Sequence, residues 1–362
     1  MPNNLSVYET APLDFRDMVQ LLKCNHTEIS EQLYRVSAQI KEKYCGNIVY
    51  LRGLIEYSNI CTKNCYYCGI RKGNAQVHRY TVTEKEVLSV VKKAYEKNYG
   101  SIVIQSGERK DSQFIKAIDR LVQKIKQMTN GTLGITLSVG EQSYDVYKMW
   151  RESGAERYLL RIETSDETLY KKIHPNDPFH SFVARLNALE ALQKASYQTG
   201  TGVMIGLPFQ TEEHLARDLM FMKDWDIDMC GMGPYLEHKN TPLRKYRHLL
   251  PPKEKRFEWT LKMIALLRII MKDINIAATT AMQTIAKDGR IEAIRVGANV
   301  MMPNITPYAY RDDYWLYENK PATFEAPEDH LPYLEQKLKS IKHHIGYGTK
   351  GNSPHYYART TR

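Results

Sequence analysis

The sequence predicts an α/β protein built as one (β/α)8 barrel of the TIM type, with N-terminal helices and a C-terminal helical extension. Three observations lead there. Short apolar runs alternate with longer helical patterns, as they do in parallel strands joined by crossover helices. Eight such runs can be counted, enough to close a sheet on itself. The 362 residues suit one barrel with additions at each end.

The eight strand candidates are Ile48–Ser58, Ser101–Ser106, Gly134–Ser138, Arg157–Glu163, Thr201–Leu207, Met229–Tyr235, Asn275–Ala281 and Ala298–Met302. Helical patterns separate them, and right-handed crossovers are expected throughout. Thr83 with Glu86 three residues on has the form of a capping box opening Thr83–Asn98, and Gly100 follows its end. Asp111–Met128, Glu141–Ser153, Ser181–Ser196, Glu212–Trp225, Lys253–Met271 and Thr284–Val296 continue the rhythm. Three regions result: an N-terminal helical cap over 1–47, read as packing across the barrel bottom; the barrel over 48–303; and an extension with a basic tail over 304–362. The extension is helical again over His330–His344, and the tail GYGTKGNSPHYYARTTR is expected to be loosely held.

Composition narrows the function classes. Hydrophobic residues at 43% and charged residues at 25% are ordinary for a globular chain. A net charge of +10 suits nucleic acid, an acidic partner or an anionic small substrate. Basic residues are spread along the chain without a run that reads as a nucleic-acid arm, so nucleic acid is not favoured. No secretory signal and no apolar run of about 18 residues is visible, and a cytoplasmic protein without a membrane partner is expected. Six cysteines in such a chain point to metal ligands or buried thiols before disulfides.

Three of the six form the run Cys61-Thr-Lys-Asn-Cys65-Tyr-Tyr-Cys68, directly after the first strand. Barrel enzymes place their chemistry on loops at that end of the strands. Thiolates are soft ligands for iron–sulfur clusters and zinc. A closed site wants four protein ligands, and here a fourth cysteine is missing nearby. Three thiolates on a 4Fe–4S cube would leave one iron open to an outside ligand. The competing readings are a zinc site completed by a distant histidine, His78 being nearest, or three unligated buried thiols.

A second constellation lies on the fourth strand, where Arg157, Arg161 and Glu163 share one parity. If Leu159 points into the barrel, so do all three. Buried charges need partners or ligands, and paired arginines suit a carboxylate or another planar anion. An ion pair between Glu163 and one arginine is the alternative.

The C-x3-C-x2-C array in this position resembles the signature of the radical S-adenosylmethionine (SAM) superfamily. The resemblance implies one oxygen-sensitive 4Fe–4S cluster on Cys61, Cys65 and Cys68, with SAM chelated to the open iron and cleaved to a 5′-deoxyadenosyl radical. It puts Tyr67 next to the adenine, with packing under the loop as the lesser alternative. IEYSNICTKNCYYCGIRK, VIQSGE, LSVGE, RYLLRIET, IGLPFQT, NIAATTAM and GANVMMPNITPYAYR are together similar to the HydE family of FeFe-hydrogenase maturases, related to biotin synthase and methylornithine synthase. The similarity covers roughly Ile48 to Tyr317. By it, Gln105, Ser106, Gly107 and Glu108 lie near the SAM amino group, Glu163 and Arg185 contact SAM, and Ile205 and Leu207 lie along the adenine. Arg157 and Arg161 would face a substrate carboxylate, while Thr279, Thr280, Met282, Met302 and Tyr310 line the reaction cavity.

Two departures matter. Biotin synthase holds a second, sacrificial cluster with cysteines on its strands, whereas Cys230 is the only barrel cysteine here beyond the triad. Many HydE proteins also carry three cysteines after the eighth strand for an accessory cluster; this chain has Ala322, His330 and Tyr333 there, so that cluster is expected to be absent. The resemblance implies a small anionic substrate, a cysteine-bound iron precursor of the hydrogenase diiron subsite. It also implies a reductant such as ferredoxin or flavodoxin, and other hydrogenase maturation proteins as partners. A radical mutase resembling methylornithine synthase is the rival reading, and a non-catalytic zinc- or RNA-binding module is the rival from another class.

Overall fold

The first strand is also the longest, and the rest of the barrel is built on it. In the computed structural model, which describes residues 5–9, 11–320 and 327–361, Ile48–Ser58 pairs in parallel with Ser101–Ser106 on one side. On the other side it meets Val300–Met301, through Tyr50 opposite Val300 and Leu51 opposite Met301. Between these neighbours run Gly134–Ser138, Arg157–Leu159, Gln198–Thr201, Met229–Cys230 and Asn275–Ala278 in chain order. All pairings are parallel, and the eight strands close into a barrel as expected.

The last five strands are shorter than their apolar runs suggested. Regular pairing on the fourth strand stops at Leu159, and contact resumes only through a bridge between Glu163 and Val203. The fifth and sixth runs likewise break, and Met204–Ile205 pairs separately with Gly233–Pro234. The backbone leaves the ladder where charged side chains must turn toward the mouth, and a Glu163 φ of 68° is incompatible with a continued strand.

Helices surround the barrel as their patterns dictate. Glu84–Glu96 opens with the capping box read from the sequence: Thr83 Oγ1 accepts from Glu86 N, and Glu86 Oε2 accepts from Thr83 N. Ser112–Met128 buries Phe114, Ile118, Leu121, Val122 and Ile125, one stripe at helical spacing. Lys253–Ile270 is buried on nearly every side, because the N-terminal helices Phe15–Lys23 and Thr27–Cys45 cover the face it would otherwise show to water. Those two helices therefore flank the barrel and do not close its bottom. Thr284–Val296, expected as one helix, is two, Thr280–Ile285 and Gly289–Val296.

The C-terminal segment closes the bottom instead, and it is firmly tied. His344–Ile345 adds a short strand beside Ile48 and Val49. Gly351 O accepts from Arg52 and Asn275, and Asn352 Oδ1 accepts from Arg157 and Gln198. Beyond them, Arg359 grips the buried Asp228 with two hydrogen bonds of 2.9 and 2.7 Å. Polar atoms at the lower strand ends need partners once buried, and this tail supplies them. Among the described residues no helix is long and apolar enough to cross a membrane.

Candidate active site

Hydrogen bonds to surrounding loops, a helix end and the end of the second strand position the cysteine loop. Thr62 N and Oγ1 both donate to Glu108 O, at 2.9 and 3.0 Å. Tyr66 N donates to Ile173 O at 3.0 Å, and Gly69 N to Leu316 O at 2.9 Å. Asn64 N donates to His180 Nε2 at 2.8 Å, a ring oriented by Asp177. Gly107 is glycine of necessity, since a Cβ there would lie 2.5 Å from Ile60 O and 2.7 Å from Cys61 Cβ. The loop thus packs onto the end of the second strand by direct backbone contact.

Cys61, Cys65 and Cys68 are unpaired thiols. Burial pushes Cys65 up to about 12, and the Cys61 sulfur adds to the shift. Burial pushes Cys68 far above the usual thiol range too, with Cys65 and then Cys61 reinforcing it. The Cys61 sulfur thus opposes ionisation of Cys65, and both oppose that of Cys68. A polycationic soft centre removes that opposition, and Glu108 N, 3.3 Å from Cys61 Sγ, already offers the N–H that a ligating sulfur accepts. Three sulfurs in one loop fit three irons of a cube. The other cysteines do not complete the set: Cys230 lies against Met222, its Sγ 3.4 Å from that Sδ.

Beneath the loop sits a buried group of four charges, half of which sequence reasoning missed. Lys63 Nζ lies 3.2 Å from Glu108 and 2.9 Å from Glu141. Arg185 Nε lies 2.6 Å from Glu141, and its Nη2 is 3.8 Å from Glu108. Burial alone would raise the Glu141 carboxyl, but Arg185 and then Lys63 outweigh it and bring it down to about 2. Gly140, at a φ of 87°, makes room for this contact, because a Cβ there would overlap the Glu108 side chain. Lys63 lies inside the cysteine motif and Glu141 inside LSVGE, so both could be suspected; only the fold shows that they meet.

Arg185 Nη1 also donates to Arg161 O at 2.6 Å, joining this group to the fourth strand. There Arg161 forms a bidentate pair with Glu163, at 3.0 Å from Nε and 2.8 Å from Nη2. The ion pair weighed against a ligand role is therefore present. Arg161 nevertheless keeps 29% of its side chain exposed, whereas Arg157 is fully buried.

Arg157 does not join them. Its Nε donates to Thr136, Nη2 to Ser101 and Nη1 to Asn352, at 3.0, 2.8 and 2.5 Å. Regular strand pairing ends at Leu159, and at about 3.3 Å per residue Arg157 lies up to some four residues' rise below Arg161. It belongs to the barrel floor, so the structure does not bring the two arginines together as expected. Tyr310 also stands apart from them. Its hydroxyl donates to Glu86 at 3.0 Å, and its ring stacks on Tyr80 at 4.9 Å, which places it against an outer helix cap.

Tyr67 and Leu207 share one apolar cluster with Leu169, Ile173 and Tyr235, and Tyr67 Oη is 3.2 Å from His174 Nε2. Ile205 is fully buried. Gln105 Nε2 donates to Tyr314 Oη at 3.4 Å, and Ser106 Oγ to Gly107 O at 2.7 Å. Thr280 and Met302 line one cavity with Leu54, Asn304 and Lys320. Thr279 Oγ1 donates to Met232 O at 3.3 Å, and Met282 is core. Of the three positions after the eighth strand, Ala322 and the His330 side chain lie outside the described residues, while Tyr333 is exposed on the helix Pro327–Ser340.

A closed parallel barrel with three thiols on its first loop defines a class, and comparison with known proteins bears it out. The Radical SAM superfamily matches residues 55–222, and the chain belongs to it. The "[FeFe] hydrogenase maturase subunit HydE" of Thermotoga maritima is 42% identical over 323 residues, covering 89% of both chains, and this protein is a member of that HydE family. A 4Fe–4S cluster and SAM are its cofactors. A 3-methylornithine synthase of Methanosarcina acetivorans is 29% identical over 82% of this chain and 80% of its own. Among solved structures, methylornithine synthase superposes with a TM-score of 0.80 at 24% identity, over 95% of this chain and 97% of that one. The maturase HydG of Carboxydothermus hydrogenoformans gives 0.76 at 18%, over 92% and 76%.

Proposed function

We propose that this radical SAM enzyme matures the diiron active site of FeFe-hydrogenase, acting on a small anionic iron precursor bound through cysteine. The observation that carries the reading is 42% identity to a HydE over 89% of both chains. The cluster with SAM supplies an adenosyl radical when reduced. The chain's own residues then have separable tasks. Cys61, Cys65 and Cys68 hold the cluster; Glu108, Glu163 and Arg185 orient SAM beside it. Tyr67, Ile205 and Leu207 exclude water along the adenine. Arg161, braced by Glu163, offers its exposed guanidinium to the substrate carboxylate, with Thr279, Thr280 and Met302 shaping the space beyond. We further propose that the triad holds the only cluster, and that a low-potential electron carrier and other maturation proteins are partners.

A radical mutase is the second reading, favoured by the TM-score of 0.80 to methylornithine synthase. One experiment separates them: anaerobic reconstitution, then SAM cleavage with lysine or with a cysteine-ligated carbonyl–cyanide iron complex. Stimulation by the iron complex alone supports the maturase. Lysine turnover, or stimulation by neither, rejects it.

A further inference from the structure

The outer side of the cysteine loop borders a basic surface that the tasks above leave unused. Tyr66, between Cys65 and Tyr67, donates to Ile173 O and accepts from Leu243 N, each at 3.0 Å. Residues 171–179 and 239–249 therefore flank the loop on either side. Phe209 joins the two flanks: Tyr246 meets its ring edge-on at 4.8 Å, and Lys172 Nζ lies over it at 4.8 Å. Phe179 stands 69% exposed there, and Leu249 44%. The Phe179 carbonyl accepts from Lys63 Nζ, which ties that exposed ring directly to the loop.

Around these apolar groups lie Lys72, Lys172, Lys239, Lys245 and Arg247, with exposed side chains. Neighbouring Lys171 and Arg244 have carboxylate partners at 2.7 and 3.8 Å. Among the described residues, none of the five has one. An apolar centre whose rim carries these five cations, with Asp177 the one acid on the two flanks, is the form of a transient protein interface steered by charge. Its side chains are exposed to solvent, whereas SAM and substrate belong in the barrel interior. A cluster used at this depth must receive its electron from outside.

We propose that this face docks a small acidic one-electron carrier of the flavodoxin type. The proposal rests on the assignment of the cluster to Cys61, Cys65 and Cys68. One electron leaves the reduced carrier and enters the cluster through the loop, with no atom transferred. The net charge of +10 adds long-range attraction for such a partner.

The test is a triple charge reversal, Lys172→Glu, Lys245→Glu and Arg247→Glu, with Lys93→Glu and Lys116→Glu on outer helices as a control. Binding of oxidised flavodoxin to the full-length protein is measured at low and high salt. The triple variant should bind at least tenfold more weakly at low salt and lose most of the salt dependence. SAM cleavage by cluster-loaded enzyme is then driven by reduced flavodoxin or by dithionite. The flavodoxin-driven rate should fall at least tenfold, the dithionite-driven rate should stay within twofold, and the control should match wild type. Unchanged flavodoxin binding, or an equal fall with both reductants, overturns the proposal. So does a short RNA that outcompetes flavodoxin and loses binding in the same variant. If wild type cleaves no SAM with dithionite, the cluster assignment itself has failed, and docking on it falls too.

Discussion

Glu141→Gln keeps the shape of the side chain beneath the cysteine loop but removes one of two negative charges facing Lys63 and Arg185. The ionised carboxylate lies 2.9 and 2.6 Å from those cations, and only 6% of its side chain is exposed, so solvent screens the contacts little. Its pKa falls from 4.5 to about 2. A shift of that size corresponds to about 3 kcal/mol favouring the charged folded form. Because the folded-state value lies below the unfolded one, the contribution is complete above about pH 4.5 and fades as pH drops toward 2. Urea denaturation at pH 7 should therefore show a loss of about 3 kcal/mol, and a chain of this length should melt about 4 °C lower. The deficit should shrink in acid. A double-mutant cycle with Lys63→Met should return a coupling of about 1–3 kcal/mol. Additive effects, or a loss below about 1 kcal/mol at pH 7, would refute the claim that these charges act as one buried unit.

Three further predictions follow from particular contacts. Arg157→Met should destabilise the fold by about 2–3 kcal/mol, by stranding Thr136, Ser101 and Asn352, yet leave uncoupled SAM cleavage near wild type. Arg161→Met should cut substrate turnover at least about tenfold at nearly unchanged SAM affinity; equal behaviour of the two variants in denaturation and turnover assays would void their separation. His355 touches Asp273 and Asp226 at 2.9 and 2.8 Å, and hydrogen bonding to Asp273 raises its pKa. Its stabilisation is full below about pH 6.5 and lost as pH rises through the raised value, so His355→Gln should be less stable than wild type at pH 6 and equal to it at pH 9 in denaturant titrations. Gly140→Ala should cost at least about 1–2 kcal/mol for the left-handed backbone and weaken SAM binding measured by calorimetry, since Glu108 must move.

Much of the site was legible because chemistry with local spacing is written locally. The cysteine loop after the first strand and the Thr83 capping box depend on neighbours in the chain, and both form as read, whereas the strand expected to carry Arg157, Arg161 and Glu163 ends at Leu159. The eight-strand count held for the same reason, since each strand and helix carries its own periodicity. Strand ends were over-extended because apolar runs continue past the point where the backbone leaves the ladder.

Residue partners across the barrel were decided by the tertiary structure. No spacing pairs Lys63 with Glu141, 78 positions apart; the convergence of strand ends at the mouth does. Alternation along the chain suggested one face for Arg157 and Arg161, but the barrel's depth sent Arg157 to the floor and left Arg161 paired with Glu163. The polar tail looked like loose surface chain because its composition is that of a solvated segment. Buried strand ends needed hydrogen-bond partners, and Gly351, Asn352 and Ser353 provide them. What the sequence determined alone is the chemistry available, three thiolates and a set of charges on a repeating scaffold. Which of those charges compensate each other follows from distance, and distance between remote residues exists only once the barrel has closed.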